Sequence, residues 1–453
     1  MSGENGYQLF DDTIVAVATP AGRGAIAVVR LSGPQAFTIA GKHVHDWPRQ
    51  PRVAHLSDFV EGSKRLDQVL ITAFPGPHSY TGEDVVEISS HGGHVVPGSI
   101  VAALTTSGAR QATAGEFTRR AVLNGKLDIL QAEAVGDLID ASSHAMQSAA
   151  LTQLDGGLSR RLGDLRNDLL ELEALIAYDV DFPEEDDGPV PRARISAATN
   201  GVVASLDSLL ATAPAGEIIR EGAVVVIAGP PNAGKSSLFN ALLGKSRAIV
   251  TEIAGTTRDA LEAVIDAGKW PLRLVDTAGL RETADRIERL GIEASERYLA
   301  AAQVVLACAE TPKALDATVA LVREHTRGAV IPILTKADLV SYSDEPRDAL
   351  SVSAETGRGL ADLLLRIESL VDEQCGIRML DVPLLTRARH KRALDTARAE
   401  MAEFQRAWNE GILPAPVAAV HLRSAIGALE ELIGAVDVEN ILDRVFSSFC
   451  VGK

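Results

Sequence analysis

Residues 229–237 read GPPNAGKSS, two glycines separated by four residues and followed by a lysine and two hydroxyls. The spacing G-x-x-x-x-G-K-S suits the binding of phosphate. Glycines allow the backbone to turn its N–H groups around a phosphate, the lysine meets the outer phosphate oxygens, and the first hydroxyl reaches a Mg²⁺ ion. On this reading Asn232, Ala233, Gly234, Lys235, Ser236 and Ser237 all contact a nucleotide. Lys235 neutralises the β- and γ-phosphates as they react, and Ser236 binds Mg²⁺.

Three further stretches select the base and place the metal. LRLVDTAGL puts Asp276 at a strand end with Thr277, Ala278 and Gly279 behind it. Asp276 would face Mg²⁺ through water, and the Gly279 N–H would face the γ-phosphate. TKAD places Thr335, Lys336 and Asp338 after the apolar run AVIPIL. A carboxylate at Asp338 accepts from both N1–H and the exocyclic amine of guanine, a pair that adenine does not offer. SAETG then presents the backbone of Ser353 and Ala354 to the guanine O6, so GTP is the expected ligand. In this order the motifs resemble those of translation-factor-related GTPases. That family usually has N-K-x-D, and Thr335 stands where the asparagine would be. A threonine there can still bond the P-loop backbone but has fewer donors, so weaker nucleotide binding is expected, with guanine selectivity kept by Asp338.

Hydrolysis needs more. Leu280 follows DTAG, where Ras-type enzymes carry a glutamine that orients water, and no arginine finger is evident. VTEIAGTTRD (250–259) reads as the first switch, with Thr257 suited to Mg²⁺. Carbonyls at Thr251 and Ile253, with the Asn232 side chain, form an all-oxygen set of the kind that suits K⁺. Glu288, in DRIERLGIE, can orient water as a carboxylate, although its spacing alone reads as an ordinary exposed helix residue.

Such loops need a sheet behind them. AVVVIA precedes the P-loop and SSLFNALLG follows it, and strands alternate with helices from Ala223 to about residue 372. Residues 12 to about 120 mix TIVAVAT, AIAVVRLSG, QVLITAF and DVVEISS with Gly and Pro turns, the texture of an α+β domain. From Leu127 the texture is helical. Leu151, Leu154, Leu158, Leu162, Leu165, Leu169, Leu172 and Ile176 form one stripe on a long helix, with Gly156 and Gly157 as a possible kink. That helix stops in DVDFPEEDDGPVP, a solvated loop. A second helical run extends to about Ala213, and helices resume after Pro383 with a break near residues 412–416. The expected architecture is therefore an N-terminal α+β domain (1–123) and a helical bundle contributed by 124–216 and 377–453. A P-loop GTPase domain (217–376), mostly parallel sheet with helices on both faces, is inserted into that bundle.

The chain has 453 residues and a formal net charge of −17, which disfavours a bare nucleic-acid binder. Three cysteines form neither a disulfide framework nor a metal-ligand spacing. No signal peptide pattern opens the sequence and the apolar runs are short for a membrane span, so a soluble, cytoplasmic protein is expected.

Taken end to end, the chain resembles the TrmE (MnmE) family of tRNA-modification GTPases. The resemblance rests on TPAGRGAIAVVRLSGP (19–34), SYTGEDVVEISSHGG (79–93), AGEFTRRAVLNGKLDILQAEA (114–134), GPPNAGKSS, IAGTTRD and the terminal RVFSSFCVGK. Ala25, Ala114, Val122 and Val451 depart mildly from the usual pattern. The resemblance implies a homodimer working with the FAD-dependent partner MnmG (GidA). Together they add an aminomethyl or carboxymethylaminomethyl group to C5 of the wobble uridine of certain tRNAs. It further implies a tetrahydrofolate derivative, in 5-formyl or methylene form, supplying one carbon from the N-terminal domain, with Arg30, Glu87, Lys126 and Lys453 as its contacts. Asn232, Thr251, Ile253 and Thr256 would surround K⁺, Ser236 and Thr257 would bind Mg²⁺, and Thr251, Thr256 and Thr257 would also line GTP. Glu288 would be the catalytic carboxylate, and Cys450 either a nucleophile or a buried thiol. RARHKR (387–392) is the best local basic run for tRNA, although such runs also serve as solvated helix faces. Two other readings are a regulatory GTPase of ribosome assembly and a folate-binding scaffold with an incidental G domain.

Overall fold

Alternation of apolar and polar residues builds the first sheet. The computed structural model describes residues 11–181, 190–245, 247–249, 261–276, 296–339, 348–375, 383–410, 415–434, 449 and 452. These divide into one unit of Met1–Gly136 with Glu430–Lys453 and a second of Asp137–Leu429. The first holds β1 (Ile14–Val17), β2 (Ile26–Ser32), β3 (His55–Glu61), β4 (Lys64–Phe74), β5 (Val85–His91) and β6 (Arg110–Gln111), in the order β3-β4-β5-β2-β1-β6. Neighbours are antiparallel except β1 and β6. Val29, Leu31, Ile71, Val86 and Ile88 lie on one face, fully buried with Ile39 of α1 (Ala36–Gly41) and Leu104 of α2 (Val96–Thr106). Ile14 and Ala16 meet Phe117 of α3 (Glu116–Leu123). A further helix, α4 (Ile129–Ile139), follows.

The tail returns to this unit. Phe449 packs with Val122, Leu123 and Ile129. Gly452, at φ +100°, approaches β1 so closely that a Cβ would lie 2.2 Å from the Val17 carbonyl oxygen.

In the second unit the expected single helix is two, α5 (His144–Leu154) and α6 (Gly157–Asp181). Gly156, at φ +77°, breaks the run between them rather than kinking it. The buried stripe accordingly starts at Leu158 and runs to Ile176, whereas Leu151 is 42% exposed. Helices α7 (Arg192–Leu210) and α8 (Ala213–Glu221) complete the segment before the α/β block. Arg192–Glu221 is apolar enough by composition to cross a membrane, but half of its window is buried in the protein, as in a core helix.

The α/β block places its strands in the order β13-β12-β11-β7-β10-β9-β8. They are β7 (Ala223–Ala228), β8 (Arg247–Ile249), β9 (Leu261–Asp266), β10 (Pro271–Asp276), β11 (Val304–Ala309), β12 (Ala329–Leu334) and β13 (Leu350–Ser351). The five from β13 to β10 are parallel, and β9 and β8 are antiparallel additions. Both faces of β7 are covered, which is why its six residues read as one apolar run. Val225 and Ile227 pack with Leu238 and Phe239 of α9 (Lys235–Lys245), whereas Val224 and Val226 pack with Leu299 and with Val322 of α10 (Pro312–His325). Helix α11 (Leu360–Cys375) adds Leu363 and Ile367 to the α9 face. Beyond the block, α12 (Ala388–Glu410) packs on α7, and α13 (Ala415–Ile433) follows. The pair α7–α12 joins helices from either side of the α/β block, linked by Arg398 Nε to Asp207 Oδ1 at 2.7 Å. The chain is thus multidomain, with a mostly parallel sheet inserted between helical segments.

Candidate functional site

The P-loop runs from the end of β7 into α9. Gly229 is forced by packing: a Cβ there would lie 2.3 Å from the Cys308 carbonyl oxygen. Gly234 takes φ +75°, and Asn232 adopts φ +62°, which asparagine tolerates better than most residues. Asn232 is exposed at the loop tip. Lys235 is 7% exposed, and its Nζ donates to the carbonyls of Gly229 at 3.0 Å and Pro230 at 2.8 Å. Ser236 Oγ donates to Oδ2 of fully buried Asp276 at 2.7 Å. The β7–α9 turn and the end of β10 therefore bring together a hydroxyl and a carboxylate, oxygen donors of the kind that suit Mg²⁺.

The base end is a cavity of about 320 Å³ lined by Gly234, Ser237, Leu238, Thr335, Lys336, Asp338, Val352, Ala354 and Glu355. Three separate segments, the P-loop with the start of α9, the turn after β12 and the turn after β13, thus meet in one cleft. Asp338 Oδ1 accepts from Ser353 Oγ at 2.6 Å, which fixes the carboxylate's rotation. Sequence reasoning assigned Ser353 only its backbone, and its side-chain role depends on a fold contact that no local pattern carries. Thr335 differs from expectation. Its hydroxyl donates to the Ala309 carbonyl at 3.2 Å, which spends the one proton it has to give to the P-loop. Lys336 pairs with Glu310, an acid that lay outside every motif. Beneath the cleft, burial pushes the Cys308 thiol up to about 12, with Lys235 opposing the rise, so this cysteine is inert.

In the first unit Arg30 and Glu87 are register partners across β2 and β5. Arg30 donates Nε and Nη2 to Glu87 Oε1 at 2.9 and 2.7 Å. The Arg30 guanidinium carbon sits 5.3 Å from the Tyr80 ring centre and 5.7 Å from that of Phe117. Lys126 lies against Gly82, whose added Cβ would be 3.3 Å from Lys126 Cγ. Ion pair, aromatic walls and lysine are thus neighbours, a set that suits a pterin with its guanine-like N–H edge and a carboxylate. Tyr80 and Phe117 went unread because tertiary packing of a loop and of α3, not spacing, brings them to Arg30.

The basic run is not a continuous cationic face. Arg387 Nη2 and Nε bond Asp137 at 2.6 and 3.3 Å, His390 is fully buried, and Lys391 pairs with Asp395 at 2.9 Å. Thr251, Ile253, Thr256, Thr257, Thr277, Ala278, Gly279, Leu280, Glu288, Cys450 and Lys453 lie outside the described residues.

Comparison with known proteins bears on both units. The family model described as the GTP-binding protein TrmE N-terminus matches residues 13–126, and that of the MnmE helical domain matches residues 129–450. A tRNA modification GTPase MnmE of Moorella thermoacetica is 42% identical over 467 residues, covering 98% of this chain and 100% of the relative. Its namesakes in Shewanella denitrificans and Aquifex aeolicus are 40% and 37% identical, each covering 98% of this chain and 99% and 100% of the relatives. Among solved structures, the G domain of the T. maritima FeoB iron transporter is 26% identical and covers 33% of this chain and 98% of its own, with a TM-score of 0.27. With both family models matched in order and relatives aligned over their whole length, the chain belongs to the MnmE family of tRNA modification GTPases.

Proposed function

We propose that this GTP hydrolase uses a K⁺-assisted nucleotide cycle to support the addition of an aminomethyl or carboxymethylaminomethyl group at C5 of the wobble uridine of tRNA. It would act as a homodimer in the cytoplasm, with the FAD-dependent partner MnmG. The observation that carries the reading is the cavity in which the P-loop residues Gly234 and Ser237 face Thr335 and Asp338, with Lys235 and the Asp276-bonded Ser236 next in the same P-loop and Ser353 bonded to Asp338. Lys235 holds phosphate charge, Ser236 and Asp276 hold Mg²⁺, and Asp338 selects guanine. The exposed Asn232 at the P-loop tip supports a K⁺ ligand there, with Thr251, Ile253 and Thr256 completing the shell and Thr257 joining Mg²⁺. Glu288 would orient water, since Leu280 has no group to do so.

A tetrahydrofolate derivative fits the first unit. Glu87 accepts from a pterin edge, Arg30 meets a carboxylate, and Lys126 adds a second cation. Gly452 supports a place for Lys453 and Cys450 here, because it abuts Val17, the residue after Ala16, and Ala16 is the register partner of Arg30. When bound, the cofactor supplies a one-carbon unit.

Nucleoside mass spectrometry of tRNA from cells lacking the protein tests the reading: the C5 substituent should vanish and return with the intact chain but not with Asp338→Asn. Unchanged nucleosides would refute it. The ion is tested separately. GTP turnover should be faster in K⁺ than in Na⁺, and Asn232→Ala should abolish the difference; equal rates for the intact protein remove the ion from the mechanism.

A further inference from the structure

A second set of charges lies behind the Arg30–Glu87 pair. Arg120 on α3 is completely buried. Its guanidinium donates to the Asp12 carbonyl at 3.0 Å, Asp12 Oδ1 at 2.6 Å, Glu116 Oε1 at 3.2 Å and Glu83 Oε1 at 3.1 Å. Glu83 accepts in addition from Ser32 Oγ at 2.7 Å, and Ser32 Oγ lies 2.6 Å from Thr81 Oγ1. A guanidinium sealed from water is costly unless its donors are bonded, so each carboxylate here is held by the same condition that keeps Arg120 in place.

The consequence falls on one short loop, Ser79 to Glu83. Ser79 Oγ donates to the Glu83 carbonyl at 2.5 Å, and Asn124 Nδ2 donates to the Thr81 carbonyl at 2.7 Å. Between these ties the loop exposes two surfaces. Tyr80, fixed by its hydroxyl 2.8 Å from Thr118 Oγ1, sets its ring against the Arg30 guanidinium. Gly82, at φ +81°, lies so close to the Asn124–Lys126 turn that a Cβ would be 3.1 Å from Asn124 Cβ and 3.3 Å from Lys126 Cγ. One loop therefore touches both cations assigned to the folate.

We propose that Glu83 and Arg120 are positioning residues for the folate pocket: they touch no ligand but preset the Ser79–Glu83 loop, and through Tyr80 and Gly82 the spacing of Arg30 and Lys126. The proposal rests on the folate reading and adds to it the part that makes the pocket rigid before binding. A loop ordered in advance spares a ligand the cost of ordering it.

The test is equilibrium binding of 5-formyltetrahydrofolate to the full-length protein by calorimetry, with melting temperature and GTP turnover measured beside it. Glu83→Gln removes the charge and keeps one acceptor oxygen for Arg120, while its NH₂ can donate to Ser32 Oγ, which is free to donate to Thr81 Oγ1 instead, so the variant should fold. Its affinity should fall about tenfold, the equivalent of one charge-assisted bond, while GTP turnover stays at the intact level. Arg120→Lys should retain more affinity than Arg120→Met. If loop placement is the route, Glu83→Gln and Gly82→Ala should be less than additive in binding free energy. Intact protein that fails to bind the folate overturns the folate reading and this proposal with it. Intact protein that binds, beside a Glu83→Gln variant that binds equally well with only a lower melting temperature, overturns the positioning role alone.

Discussion

Replacing Thr335 by asparagine should tighten the hold on guanine nucleotides. Thr335 is 4% exposed, and its backbone N–H and hydroxyl both donate to the Ala309 carbonyl, at 3.0 and 3.2 Å. The P-loop passes beside it: a Cβ on Gly234 would be 3.6 Å from Thr335 Cβ. The two loops thus run side by side at Thr335 with room for little more than a methyl group between them, the Thr335 hydroxyl being committed elsewhere. An asparagine extends one atom further and carries two donors, so one can serve Ala309 while the amide reaches the P-loop backbone. A net hydrogen bond contributes about 0.5–1.5 kcal/mol, which corresponds to about two- to twelvefold tighter binding. The gain should lie in dissociation, because a linked pair of loops opens less often. Titration and stopped-flow release of a fluorescent GDP analogue measure both quantities. A Thr335→Asn protein that melts like the parent yet binds no more tightly would refute the reasoning.

Two further outcomes follow from the same geometry. Asp338→Asn should exchange guanine for xanthine: Ser353 Oγ donates to Oδ1, which the amide oxygen can replace, so the new NH₂ faces the base. Losing two charge-assisted bonds costs about 3–6 kcal/mol, and turnover with GTP and XTP reports the switch; persistent GTP preference would remove Asp338 from base recognition. Acid should loosen the first unit. Burial alone would raise the Glu116 carboxyl, but bonds from Arg110, the Thr113 N–H and Arg120 outweigh it and hold it below the usual carboxylate range. A depressed folded pKa gives stability that is complete above the unfolded value, near 4.5, and is lost as pH falls through the folded value. Melting temperatures from pH 7 to 3 should therefore drop below about pH 4.5, and Glu116→Gln should flatten that drop.

The α/β block was legible because each of its signals is local. AVVVIA is buried on both faces and so is apolar throughout, and GPPNAGKSS needs only the strand before it and the helix after it. The break at Gly156 was visible as a glycine pair, but periodicity continues in register across it, so the stripe alone suggested one helix. Strand β3 was missed for the opposite reason. HLSDFVE lies at the sheet edge, where Ser57, Asp58 and Glu61 blur the alternation that would mark it.

The site divides along the same line. Motifs named the residues proposed to face the ligand, whereas the groups behind them arrive by tertiary contact: Ser353 behind Asp338, Tyr80 against Arg30, and Arg120 behind Glu83. These supporting groups determine how strongly a named residue acts. Lys235 illustrates the point. Its ammonium is buried and already accepted by the Gly229 and Pro230 carbonyls, so a phosphate gains only the difference between its own charge and two neutral acceptors. Ser236 is in the same position, since a Mg²⁺ ion bound there would compete with the bond it gives Asp276. Nucleotide affinity is therefore a balance of exchanged bonds. That balance is why a change as small as Thr335→Asn, which alters neither phosphate nor metal contacts, can move it measurably.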